Sequence, residues 1–208
     1  MARTNLPIDY NRGIKLGVVT DDAASFFLFD NLFDDKEKKK HFFENICTPQ
    51  WNEEQDGGRS LKEGTELLVN LHPEWKEYIE AFYGRWEEML GGPIHETVDI
   101  FRDLKQSGKY RLYALTNWSG ELFPIALERY DFLHWFDGRV VSGDEKMRKP
   151  FPEFYQLTLN RFDLKPERTL FIDDNLRNVK AAEELGIQAI RFESPAQLRK
   201  DLEARGII

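Results

Sequence analysis

One cysteine, Cys47, stands among 208 residues. No intrachain disulfide can form, and a reducing compartment, the cytoplasm, is the expected location. Cys47 itself reads as a small buried apolar residue. Long hydrophobic runs are also missing. No stretch approaches the roughly 20 apolar residues of a membrane span, and the first residues carry no signal-peptide-like apolar segment. Positive charge is in deficit, with 29 Lys and Arg against 37 Asp and Glu for a net charge of −8. Nucleic acid and acidic membrane surfaces both require concentrated basic charge, so neither is expected as a partner. A small phosphorylated molecule stays open, because one lysine, a helix N-terminus and a metal ion can hold a phosphate on an acidic protein.

What is present is the make-up of a globular chain, 41% hydrophobic and 32% charged. Its length suffices for a full α/β core and one modest inserted module. Residues 1–12 are polar and aperiodic. Residues 14–20 form a short apolar run ending in Asp21-Asp22, the pattern of a buried parallel strand that delivers side chains at its carboxyl end. Residues 34–90 are rich in Glu, Lys, Trp and Phe, lack β-type alternation and break at Thr48-Pro49, Asp56-Gly57-Gly58 and His72-Pro73, which predicts a set of helices. The last is expected over 74–90, with Trp75, Ile79, Phe82, Tyr83, Trp86 and Leu90 on one stripe.

From Ile94 onward helices and strands alternate. Helices are predicted at 96–107, 122–130, 153–162, 176–185 and 195–205, and strands at 111–115, 138–141, 169–172 and 188–192. Repeated units of this kind imply an α/β fold, a Rossmann-like parallel sheet with helices on both faces. The expected organisation is a core of residues 1–30 and 91–208, with a small helical cap, residues 31–90, inserted after the first strand.

Three segments carry chemistry. In Leu170-Phe171-Ile172-Asp173-Asp174-Asn175 a buried strand ends in adjacent carboxylates, at the sheet edge where open α/β sheets bind ligands. Two neighbouring carboxylates repel unless a cation or a shared proton neutralises them, and a helix cap explains only one of them. With no Cys or His cluster nearby, an all-oxygen site favours Mg²⁺ over zinc. In Tyr113-Ala114-Leu115-Thr116-Asn117-Trp118-Ser119 a strand again ends in small polar groups, able to cradle phosphate oxygens. In Lys149-Pro150-Phe151-Pro152 two prolines fix the backbone and start a helix, so Lys149 has a defined place.

Strand-Thr-Asn, then Lys-Pro, then strand-Asp-Asp, in this order, resembles the later motifs of the haloacid dehalogenase-like hydrolases, over about residues 32–208. The resemblance is greatest to the subgroup with a small helical cap, mostly Mg²⁺-dependent phosphatases of small phosphorylated metabolites. It implies that Thr116 binds phosphate oxygens and that Asn117 lines the same pocket. Lys149 would neutralise the nucleophile and the phosphate. Asp174 would ligate Mg²⁺, with Asp173 ligating directly or through water. The paired carboxylates set the chain apart from the metal-free dehalogenases of the superfamily.

The family's first motif is a strand ending in a nucleophilic Asp, followed in this subgroup by an apolar residue, two glycines and Val. Here the segment is Val18-Val19-Thr20-Asp21-Asp22-Ala23-Ala24-Ser25. Asp21 is the leading candidate to attack phosphorus and also to ligate the metal, with Ala23 lending its backbone carbonyl; Asp22 and Asp9 are rivals. The position two after Asp21 is Ala23, so a leaving-group proton would have to come from the cap, the substrate or solvent. Two alternatives follow from this departure: a catalytically silent phosphate-binding module, and a haloacid dehalogenase that releases halide without metal. Trp51, Arg59, Trp86 and Trp118 are candidates for substrate contact, each with a structural role as the simpler reading. A monomer or a homodimer is expected.

Overall fold

The computed structural model describes the backbone of residues 13–16 and, with side chains, residues 28–29 and 32–208. Five strands form one sheet: β1 (Gly13–Leu16), β2 (Arg111–Thr116), β3 (Gly138–Val141), β4 (Thr169–Asp173) and β5 (Gln188–Arg191). All neighbours are parallel, in the order β3-β2-β1-β4-β5. Ile14 is in register with Leu112 on one side and Leu170 on the other. The strand expected at 14–20 thus begins at Gly13, and residues 17–27, with Asp21, Asp22 and Ala23, lie outside the described residues, as does Asp9. β1 sits between β2 and β4, whose last residues are Thr116 and Asp173.

The two-residue repeat of a strand assigns side chains to opposite faces. Leu112 and Ala114 of β2 and Leu170 and Ile172 of β4 join one core cluster. It is covered by Ile100, Phe101 and Leu104 of α5 (His95–Ser107) and by Leu198 and Leu202 of α10 (Pro195–Ala204). Leu115 and Phe171 join the other. There Phe154 and Tyr155 of α8 (Pro152–Arg161) and Ala182 of α9 (Leu176–Glu184) cover the sheet. Both faces are buried, which explains why the strands read as nearly unbroken apolar runs. Two shorter helices, α6 (Phe123–Arg129) and α7 (Ser142–Glu145), follow β2 and β3.

Among the described residues, the stretch between β1 and α5 includes the helices α1 (Lys36–Asn45), α2 (Pro49–Asp56), α3 (Leu61–Leu71) and α4 (Lys76–Gly84). Their starts are written locally. Asp35 accepts from the Glu37 N–H, Thr48 caps α2 with Pro49 in its first turn, and Ser60 forms a reciprocal capping box with Glu63. The insert has its own cluster around Phe29, Phe33, Phe42, Trp51, Leu68 and Ile79, which also takes in Leu28 and the buried Cys47. Phe29 is fully buried, with the rings of Phe42 and Phe43 at 5.4 and 5.0 Å.

The single helix expected over 74–90 is three pieces: a 3₁₀ turn Pro73–Trp75, α4, and a 3₁₀ turn Trp86–Met89. Gly84 is a weak helix former, and Arg85 leaves helical geometry at φ −126° and ψ 27°. The Arg85 guanidinium then grips Glu88 at 2.7 and 2.6 Å. The break turns Trp86 toward the core, where its ring meets Trp118 edge-on at 5.8 Å. Among the described residues no helix is long and apolar enough to cross a membrane.

Candidate active site

Lys149 is held from both sides before its amine is placed. Asn117, just past β2, bridges its backbone: the Asn117 Nδ2 donates to the Lys149 carbonyl at 3.0 Å, and the Lys149 N–H donates to Asn117 Oδ1 at 2.8 Å. Pro152 then opens α8. The buried Lys149 amine donates to Asp173 Oδ2 at 2.6 Å, a short charge-assisted bond between two side chains almost without solvent contact. Asp173 Oδ1 accepts from the Asn175 N–H and from Asn178 Nδ2, both at 2.9 Å. The helix cap that competes with a metal for these carboxylates is supplied elsewhere: Asn175 caps α9 by accepting from the Arg177 N–H at 3.0 Å.

The two adjacent carboxylates therefore have different surroundings. Asp173 is buried as the counter-ion of Lys149, whereas Asp174 is exposed. Consecutive residues at a strand end diverge, and of the two it is Asp173 that bonds the Lys149 amine. Asp174 anchors through its carbonyl, which accepts from Arg191 Nε at 3.3 Å, and its carboxylate has no hydrogen-bond partner among the described residues. The Asn178 Oδ1, buried beside Asp173, is likewise unpaired among them. Asn117, expected to contact substrate, has one donor and one acceptor engaged on the Lys149 backbone. Those two bonds fix the Lys149 backbone beside the end of β2. Thr116 ends β2 half-buried, its Oγ1 making only a long 3.5 Å contact with the Asn117 carbonyl.

The Thr116 loop is locked to the loop after β3. The fully buried Ser142 hydroxyl accepts from the Trp118 N–H at 2.8 Å, and the Gly143 N–H donates to the Trp118 carbonyl at 3.1 Å. A Cβ on Gly143 would run into the backbone nitrogen of Gly120. Gly143→Ala should therefore force the two loops apart, costing about 1–3 kcal/mol as overpacking does. Chemical denaturation would read that loss, and a wild-type midpoint would contradict the tight approach.

The insert closes over this edge through α2. Glu53 pairs with Arg177 at 2.6 Å and lies 3.9 Å from Arg148, which also meets Glu54 at 3.1 Å. The Leu61 N–H donates to Glu121 Oε1 at 2.8 Å. Asp56, the last residue of α2, sits in this seam. Burial first, and then the Glu53 carboxylate, push its pKa up to about 7, against the pull of Arg148, the Ser119 N–H that faces it, and Lys149. Beyond Asp56 an open hollow of about 340 Å³ is lined by Gly57, Lys146, Met147, Arg148, Phe151 and Glu153.

Of the remaining candidates, Trp51 is buried with its indole N–H donating to the Gly64 carbonyl at 3.0 Å. Arg59 donates to Gln55 Oε1 at 2.6 Å and to the Trp51 carbonyl at 3.1 Å. Both roles lie within the insert. Trp86 and Trp118 pack on each other at its junction with the core. The seam position of Asp56 leaves no trace in the sequence, where Asp-Gly-Gly reads as a turn; its placement depends on α2 docking against a loop far along the chain.

No group of three His, Cys, Asp or Glu able to hold a metal occurs among the described residues. Mg²⁺ does not need one, since it keeps several waters and takes one or two carboxylates together with substrate phosphate. The open oxygens of Asp174 at the sheet edge, with no soft ligand nearby, fit that ion.

A family model for haloacid dehalogenase-like hydrolases matches residues 46–186. Flavin mononucleotide hydrolase 1 of Arabidopsis thaliana is 33% identical over 154 residues, covering 72% of this chain and 60% of the relative. The sesquiterpene phosphatase astK of Aspergillus oryzae is 36% identical over 100 residues, 48% of this chain and 50% of its own. The chain thus spans less than two thirds of these curated relatives. Among solved structures, a HAD family enzyme from Bacteroides thetaiotaomicron in complex with magnesium and inorganic phosphate superposes with a TM-score of 0.61 at 22% identity. That match covers 87% of this chain and 92% of the other, a likeness of fold.

Proposed function

Since the chain belongs to the haloacid dehalogenase-like hydrolases, we propose that it hydrolyses phosphate monoesters of a small metabolite, with Asp21 as the nucleophile that forms an aspartyl-phosphate. The observation that carries this reading is the buried Lys149–Asp173 pair at 2.6 Å beside the end of β2. A cation fixed at that depth between two loops is suited to an anion that gains charge as it reacts, and less suited to a neutral substrate. The phosphatases among the relatives support the same choice.

Asp21 comes after the central strand in the sequence, and β1 lies between the strands that end in Thr116 and Asp173; in this reading its carboxylate acts at that edge. Thr116 and the backbone N–H groups after it would hold phosphate oxygens, and Asn117 would keep Lys149 in place. Asp173 would hold the amine charged and oriented toward both nucleophile and phosphate. Asp174, with Asp21, the Ala23 carbonyl and Asp173 directly or through water, would hold Mg²⁺. When bound, the ion supplies positive charge to the transferring phosphoryl oxygens. The insert, residues 31–90 in this reading, acts as a cap that excludes water and bears on substrate choice.

The expected result is Mg²⁺-dependent release of 4-nitrophenol from 4-nitrophenyl phosphate, abolished in Asp21→Asn. Unchanged turnover in that variant would remove Asp21 from its role. Beryllofluoride binding with no hydrolysis by the wild type would favour a phosphate-binding module, and halide release from a 2-haloacid without metal would favour a dehalogenase.

A further inference from the structure

We propose that Asp56, at the end of α2 in the insert, is the acid that protonates the leaving-group oxygen. The inference rests on the phosphatase reading and adds the group which that reading lacks. In an in-line displacement the leaving group departs opposite the nucleophile. The insert covers the carboxyl edge of the sheet through α2, so a phosphoryl group attacked from the sheet side at that edge would turn its departing oxygen toward the insert. Asp56 is an insert carboxylate facing that edge: the Ser119 N–H and the Lys149 charge act on it from the core loops, and the next residue, Gly57, lines a hollow open to solvent.

The other polar groups around it are committed. Glu53 is tied to Arg177 and Glu54 to Arg148. The Tyr83 hydroxyl donates to Asn52 Oδ1 at 2.8 Å and accepts from Gln55 at 3.0 Å, and burial raises its pKa. Asp56 makes no ion pair among the described residues and has only a long 3.4 Å contact from Asn52 Nδ2. With its pKa near neutrality, it carries a transferable proton in the range where a carboxyl at its ordinary value would have none.

The step balances. As the P–O bond to the leaving group breaks, its electron pair stays on that oxygen, which takes the Asp56 proton and departs as a neutral alcohol. The Asp56 carboxylate then accepts a proton from the water that attacks the aspartyl-phosphate, which restores the acid.

The test is a leaving-group series with the full chain and Mg²⁺, comparing 4-nitrophenyl with 4-methoxyphenyl phosphate in wild type, Asp56→Asn and Asp56→Ala. A good leaving group needs little help, so the loss in kcat/KM should be greater for the methoxyphenyl ester, by roughly 10²-fold. The wild-type rate on that ester should fall above pH about 7, and Asp56→Asn should lose this limb. A readout free of turnover is thermal melting. A carboxyl whose pKa is raised on folding stabilises the fold at low pH and loses that stabilisation as pH rises through its folded value. Asp56→Asn should therefore gain in Tm relative to wild type between about pH 4 and pH 7. Equal losses on both esters, or a Tm difference independent of pH, would overturn the role of Asp56 while leaving the phosphatase reading intact. Failure of the wild type to hydrolyse either ester would overturn both.

Discussion

Lys149→Met is expected to lower turnover on the order of 10²–10³-fold, by analogy with the loss of one preorganised group that stabilises developing charge. The same change should cost stability, about 3–5 kcal/mol, because it strands Asp173 buried without its cation. Asp173 would keep the Asn175 N–H and Asn178 Nδ2 as donors but lose the Lys149 cation. The double variant Lys149→Met/Asp173→Asn removes both charges, so most of the stability should return while turnover stays lost. Urea denaturation of the three variants, alongside kinetics, separates these effects. A single variant as stable as wild type would mean that the pair is not isolated from solvent.

Asp174→Asn should show the opposite profile, with turnover lost on the order of 10²–10³-fold and stability within about 0.5 kcal/mol of wild type. The residue is exposed, and its carboxylate supports no described hydrogen bond, so the fold has little to lose. Its neighbour Asp173 bears three hydrogen bonds in the interior. Calorimetric titration with Mg²⁺ decides the role: the variant should bind the ion far more weakly, and an unchanged affinity would move the metal to other ligands.

The sheet was legible because burial on two faces leaves a direct trace. Runs such as Leu170-Phe171-Ile172 have no polar position to spare, and the polar groups at their ends mark where the strand meets solvent. The three loops of the site were legible for the same reason, as Thr116, Lys149 and Asp173 each stand just outside an apolar segment or a proline-fixed turn. Pairings between distant residues were not. Nothing near Asn117 indicates that its amide will clasp the Lys149 backbone, or that Asn175 will relieve both carboxylates of capping. The break at Gly84 was hidden by a stripe of aromatics that continues in register across it. Asp56 was hidden more deeply, since its raised pKa arises from burial and from Glu53, against the pull of Arg148 and Lys149 about 90 positions later.

Glu53 reaches Arg148, immediately before Lys149, and Arg177, four residues beyond Asp173. One side chain thus fastens the helical lid to both segments that frame the interior charge pair. The seat of the lid and the spacing of the two segments beneath it are thereby set by the same carboxylate.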